Sequence, residues 1–161
     1  MLAEDKLRIN TNKLEKQKID KSQWARGEWT DEPDFISWHA PGLYRCKAVR
    51  HSYLGHWCGY VGLPAGYVFE RDIDELEVHG GITYDRVDCK PNGIELKGRW
   101  LGLDCAHIDD YSPNLYSKDF EIKQKLKLVY RNKDFIIKEV EGLAAQLVKF
   151  RLKEKKAKKE I

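Results

Sequence analysis

The stretch from Phe135 to Leu152 limits the fold more than any other part of the chain. Ile136, Val140, Leu143 and Leu147 fall at i, i+4, i+7 and i+11, one face of a helix, and Phe135, Ala144 and Val148 widen the stripe. Lys138, Glu139, Glu141 and Gln146 lie off it. Gly142 costs about 1 kcal/mol against alanine, too little to break so regular a segment. The periodicity predicts a helix from about Asn132 to Leu152. A helix with a single apolar stripe must bury it on another layer, so the rest of the chain has to supply that layer.

It supplies strands. Phe35-Ile36-Ser37-Trp38-His39 is a short strand closed by Pro41-Gly42. Leu43 to Arg50 alternates apolar and basic residues, the period of a half-buried strand. After the turn at Tyr53-Leu54-Gly55, His56 to Leu63 forms its hairpin partner, with glycines that suit close backbone approach. Residues 67–77 are acidic and loop-like. Ile94 to Leu101 alternates again after the turn signal Lys90-Pro91-Asn92-Gly93. Residues 109–119 are expected to be a loop, and Phe120–Leu128 fits a strand as well as a poor helix. The expected class is α+β, an antiparallel sheet of about four to six strands with one long C-terminal helix.

At 161 residues the chain suits one compact domain. The expected division is a polar leader over 1–22, partly disordered or helical, a single α+β domain over 23–152, and a basic tail over 153–161. Residues 149–161 hold seven Lys or Arg against two Glu, a charge of +5. The whole chain carries +3, so the body is mildly acidic at −2. That charge argues against nucleic-acid binding by the folded face and leaves the tail as the one place for such a contact. The N-terminus has no apolar signal region, and no stretch approaches a membrane span. Cys46, Cys58, Cys89 and Cys105 are therefore expected as reduced thiols of a cytoplasmic protein rather than as disulfides.

Two polar motifs flank the last predicted strand, Val78-His79-Gly80-Gly81-Ile82-Thr83-Tyr84 and Gly102-Leu103-Asp104-Cys105-Ala106-His107-Ile108-Asp109-Asp110. Glycines after a histidine allow positive φ or close approach to a ligand. An aspartate and a histidine near a strand end can form an acid/base pair, with the carboxylate fixing the imidazole tautomer. His79, Asp104 and His107 are the candidate catalytic residues. Gly80, Gly81, Thr83, Tyr84, Cys105 and Asp110 are the candidate ligand-binding residues. The Gly80-Gly81 amides are candidate oxyanion donors, and Cys105 is either a nucleophile or a small buried hydrophobe. Asp104 and His107 are three apart and meet only if the chain turns at Cys105-Ala106.

Two metal arrangements are geometrically open. One is a Cys₂His₂ site from His56, Cys58, Cys105 and His107, and the other an oxygen-rich site from His79, Asp104, His107 and Asp110. The first lacks a usual zinc spacing, no metal ligands are assigned, and the cofactor stays open. The acidic run Glu70 to Glu77 is read as a solvated loop. No phosphate-binding loop, dinucleotide fingerprint, serine-hydrolase elbow or zincin motif is present.

Gly59-Tyr60-Val61-Gly62-Leu63-Pro64, the two central motifs, and Tyr130-Arg131 ahead of the final helix resemble a family of small uncharacterised proteins encoded by bacteriophages and prophages. The resemblance covers about residues 24–148. It implies a phage accessory protein acting in the host cytoplasm and brings no assigned chemistry. Members of that family follow the Pro-Gly turn with His-Pro, whereas Gly66 here precedes Tyr67-Val68, so no role for that histidine carries over. Aromatic surfaces and the Gly-Gly amides suggest a nucleotide-like or phosphate-bearing host molecule, bound and then hydrolysed or transferred. The alternative is a non-enzymatic counter-defence or host-takeover inhibitor that binds a host protein.

Overall fold

A computed structural model of the chain describes residues 18–116 and 125–159. Most of the expected leader (1–17) and most of the ambiguous 120–128 segment lie outside the described residues. The strands are β1 (Phe35–Ala40), β2 (Tyr44–Arg50), β3 (Trp57–Gly62), β4 (Tyr84–Cys89) and β5 (Leu96–Asp104). They form one antiparallel sheet in the order β1-β2-β3-β5-β4. A single turn, α1 (Pro113–Tyr116), interrupts the expected 109–119 loop, and α2 (Lys133–Lys159) is the long C-terminal helix. The fold is α+β with an antiparallel sheet and one long helix.

α2 starts where its cap dictates. The Asn132 side chain accepts the Phe135 amide at 2.9 Å, satisfying one of the open N–H groups of the first turn. The helix runs to Lys159, seven residues past the expected end at Leu152. The tail there is Lys, Ala and Glu, all good helix formers, and its cations suit the negative end of the helix dipole.

The apolar stripe is buried as its spacing requires. Ile136, Val140, Leu143, Ala144 and Leu147 pack with Ile36, Trp38, Cys46, Ala48, Trp57, Val61, Leu101 and Leu103 on one face of the sheet. Gly59 lets the helix come close, because a Cβ there would stand 2.4 Å from Val140 Cγ2 and 2.9 Å from Ile136 Cδ1. The other face buries Phe35, Val49, Cys58, Tyr60, Ile94, Leu96 and Trp100. Arg45 and Lys47 lie over the Trp100 ring at 4.9 and 5.5 Å and shield it from water.

β4 was not visible as a strand in the sequence. Tyr84-Asp85-Arg86-Val87-Asp88-Cys89 is polar and mostly exposed because it is an edge strand, where charges discourage further pairing. It bulges between Val87 and Cys89, with Asp88 at φ 52°.

The acidic 67–79 segment is less detached than its composition suggests. It runs antiparallel along α2, with the Tyr67 hydroxyl donating to the Leu147 carbonyl at 3.1 Å. Gln146 then brackets Glu77, its amide donating to the Glu77 carbonyl and its side-chain oxygen accepting the Glu77 N–H, both at 2.8 Å. The His79 N–H donates to Glu139 at 3.0 Å, which delivers His79 to the first turns of α2.

A buried ionic cluster ties the segment before β1 to the sheet. Arg50 is fully buried, donates to Asp34 at 2.7 Å and to the Gly55 carbonyl at 2.8 Å, and stacks on Trp57. It also donates to the Tyr130 hydroxyl, the Pro33 carbonyl and Glu32, and Glu32 accepts the Lys133 amide at 2.6 Å. This fixes Tyr130 and Arg131 at the mouth of α2. All four cysteines are free. Among the described residues no helix is long and apolar enough to cross a membrane.

Candidate functional site

Three segments meet at one end of the sheet. β5 ends at Asp104, and the chain turns at Cys105-Ala106, with the Cys105 amide donating to the Trp57 carbonyl and the Asp110 amide to the His107 carbonyl. Asp110 then forms an isolated parallel bridge with Val129, which sets Asp110 beside Arg131. The third segment is the Val78–Gly81 turn, closed by the Gly81 amide on the Val78 carbonyl at 2.9 Å.

Asp110 is the centre of the cluster. It is buried, and its carboxylate takes three donors: the Arg131 guanidinium at 2.9 Å, the His107 amide at 3.0 Å, and His79 Nε2 at 2.8 and 3.0 Å from its two oxygens. Burial pushes the Asp110 pKa up, but the His79, His107 and Arg131 donors outweigh it and hold the group below the usual carboxylate range. An ionised carboxylate only accepts, so His79 Nε2 carries the proton and Nδ1 is left as the basic nitrogen. The His79 ring also stands edge-on to Phe135 and His107, with centroids 5.1 and 5.4 Å away.

His107 is held differently. Its Nε2 is buried and has no hydrogen-bond partner among the described residues, with Asp104 Oδ1 3.5 Å away. Asp104 is engaged elsewhere, accepting the Thr83 hydroxyl at 2.8 Å and the Ala106 amide at 3.1 Å. Gly80, at φ +70°, lies against the ring. A Cβ there would fall 1.9 Å from His107 Nε2 and 2.3 Å from both adjoining carbons. Those near-equal distances put the missing methyl over the ring face, so the glycine makes room for the ring without covering its in-plane lone pair.

The expected residues His79, Asp104, His107, Asp110, Thr83 and Gly80 are thus brought together. Three others are placed differently. Gly81 spends its amide on the turn, so it is no oxyanion donor. Tyr84 turns to the opposite face of the sheet, edge-on to Tyr60 at 5.0 Å. Cys105 is buried in the helix-side core, where burial first, and Asp110 next, push its thiol far above the usual range, so it is a neutral packing residue. The Cys₂His₂ arrangement does not form, since Cys58 and Cys105 pack on opposite faces of the sheet.

No family model, curated protein or solved structure matches this chain. The cluster's chemistry therefore rests on its own geometry.

Sequence reasoning missed Arg131, Phe135 and Glu139 as parts of the site. Arg131 carried a signal, since it belongs to the Tyr130-Arg131 pair ahead of the helix and offers a cation to an otherwise acidic motif. The cluster is a junction of turns rather than a deep cavity. Four clefts among the described residues lie elsewhere, at residues 18–22 with 30–34, at Pro41–Gly42 against α2, at residues 88–90 with 95–97, and over Trp100 beside Arg45 and Lys47, and the cluster lines none of these.

Proposed function

We propose that this protein is a phage-type accessory protein, acting in the host cytoplasm, that binds a small phosphate-bearing host molecule at the His79–His107–Asp104 cluster. The carrying observation is the pairing of an Asp-held imidazole with a second imidazole whose buried Nε2 is unpartnered. A buried polar atom without a partner costs about 1–3 kcal/mol. The other unpartnered side-chain atoms include indole and phenol groups of Trp38, Tyr44, Trp57 and Tyr84, whereas this one faces a carboxylate and another imidazole. An anionic oxygen would supply the missing partner when His107 is protonated. Asp110 keeps His79 in one tautomer, so His79 can take up or return a proton if the bound molecule is hydrolysed or transferred.

The inhibitor reading has one observation of its own. Ile108, next to His107, is 90% exposed, an apolar side chain that a protein partner would cover. One pair of variants separates the two. Nucleoside phosphates and inorganic phosphate are titrated by calorimetry against the parent, Asp104→Asn and Ile108→Asp. The proposed function expects binding that Asp104→Asn weakens at least tenfold and Ile108→Asp leaves unchanged. Absence of binding by every phosphate compound, with host-protein capture lost in Ile108→Asp, supports the inhibitor instead.

A further inference from the structure

We infer that His79, His107 and Asp110 form a binding site for a divalent transition-metal ion of the zinc class, with open coordination positions. One ligand atom from each of the three side chains lies within 4.8 Å of the others. Donors on a common zinc-class ion, at about 2.0–2.2 Å each, are separated by roughly 3.0–3.5 Å. The His79 Nε2–Asp110 pair, at 2.8 Å, is already near that range, and an ion bound there replaces the Nε2 proton of the metal-free hydrogen bond, which is released to solvent. The widest pair has to close by roughly an ångström, a small rotation of one exposed imidazole. His79 and His107 are partly exposed, with side-chain accessibilities of 19% and 31%, so both rings have that freedom, and the rotation also brings out the His107 Nε2 that is buried in the metal-free protein.

The unpartnered His107 Nε2 points to a ligand independently of the cluster's shape. Gly80 packs on the ring face and leaves the lone pair in the ring plane open. The surroundings also match what holds metal ligands in place. Arg131 and the His107 amide orient the Asp110 carboxylate, and Glu139 fixes the backbone of His79. Asp104 lies outside the triad and is left to accept a hydrogen bond from a metal-bound water.

Two imidazoles and one carboxylate select the ion class. Magnesium and calcium prefer all-oxygen sites, and a thiol-selecting ion would need sulfur, which Cys105 does not offer. Three protein ligands with positions to spare is the arrangement in which a bound water is acidified or an anionic oxygen is polarised. This deepens the proposed function by supplying the centre on which a phosphate oxygen would sit, in place of a direct hydrogen bond from His107 Nε2, and it rests on the cluster being the functional site.

The test titrates Zn²⁺ alone into the full-length, metal-stripped and reduced protein by calorimetry, with Co²⁺ absorption reporting the donor set. The expected result is one ion per chain, a Co²⁺ spectrum without thiolate charge transfer, and more than a hundredfold weaker binding in His107→Gln. Cys89→Ser, which removes the one partly exposed thiol, binds as the parent does. Circular dichroism and thermal melting of His107→Gln check that its fold survives. His79→Gln provides a second ligand deletion. No binding, or binding that both histidine variants retain, overturns the inference. Phosphate-compound binding in the presence of chelator separates the two claims. If it persists without metal and Zn²⁺ itself does not bind, the metal site is overturned and the proposed function stands. If metal binds and no phosphate compound does, the metal site stands and the proposed substrate class falls.

Discussion

Gly80 shows how narrowly a residue can be constrained by a neighbour 27 residues away in sequence (107 − 80) but adjacent in space. Its positive φ alone costs an alanine about 1–2 kcal/mol. The added methyl would also enter the His107 ring. Gly80→Ala is expected to destabilise the protein by more than that backbone cost and to displace the imidazole. In the Gly80→Ala/His107→Ala double variant, the steric part should vanish and only about 1–2 kcal/mol remain relative to His107→Ala. Urea denaturation of the four proteins measures this, and full additivity would mean that the ring does not sit under Gly80. Gly80, the histidines and Asp104 were legible as a cluster because few structural roles need such residues in so short a span. The central place of Asp110 was not, because it depends on Arg131 and on the bridge to Val129, contacts across the fold that no local spacing encodes.

The elements were legible in proportion to their apolar periodicity. α2 and the strands β1, β2, β3 and β5 bury one face or both, so their patterns are strong. β4 buries little and reads as a polar loop until β5 pairs with it. The end of α2 was misplaced for the complementary reason: beyond Leu152 the helix is held by propensity and charge rather than by burial, and a hydrophobic pattern says nothing there. The buried part of α2 supports a firm expectation. Leu143 is fully buried against the sheet, so Leu143→Ala should cost about 2–5 kcal/mol by chemical denaturation. A loss under about half a kcal/mol would mean that the helix face does not pack on the sheet.

For the molecule as a whole, the pH dependence of stability should carry the mark of His56. This side chain is buried, stacked on His51 at 4.8 Å and faced by Ser112. Burial first, then the neighbouring His51, lower its pKa to about 4, with Arg50 acting in the same direction and Asp104 and Asp110 against it. The unfolded chain takes up this proton near pH 6.5 and the folded chain only near 4. The contribution is therefore complete above about pH 6.5, is lost as pH falls towards 4, and changes no further below that. Its size is up to about 3 kcal/mol. Denaturation of His56→Gln across this window should give a flatter profile than the parent, and an unchanged slope would remove His56 as the cause.

On the proposed function, the histidine cluster is kept to hold a ligand and not to hold the fold. Residues kept for binding are often neutral or unfavourable for stability, whereas packing residues are not. The free energy of unfolding of metal-free His107→Gln, compared with the metal-free parent at neutral pH, tests this most directly. If the cluster is kept for a ligand, the variant lies within about half a kcal/mol of the parent, or is more stable, because a buried nitrogen without a partner is removed. A loss of more than about 2 kcal/mol would contradict it and make His107 a structural residue.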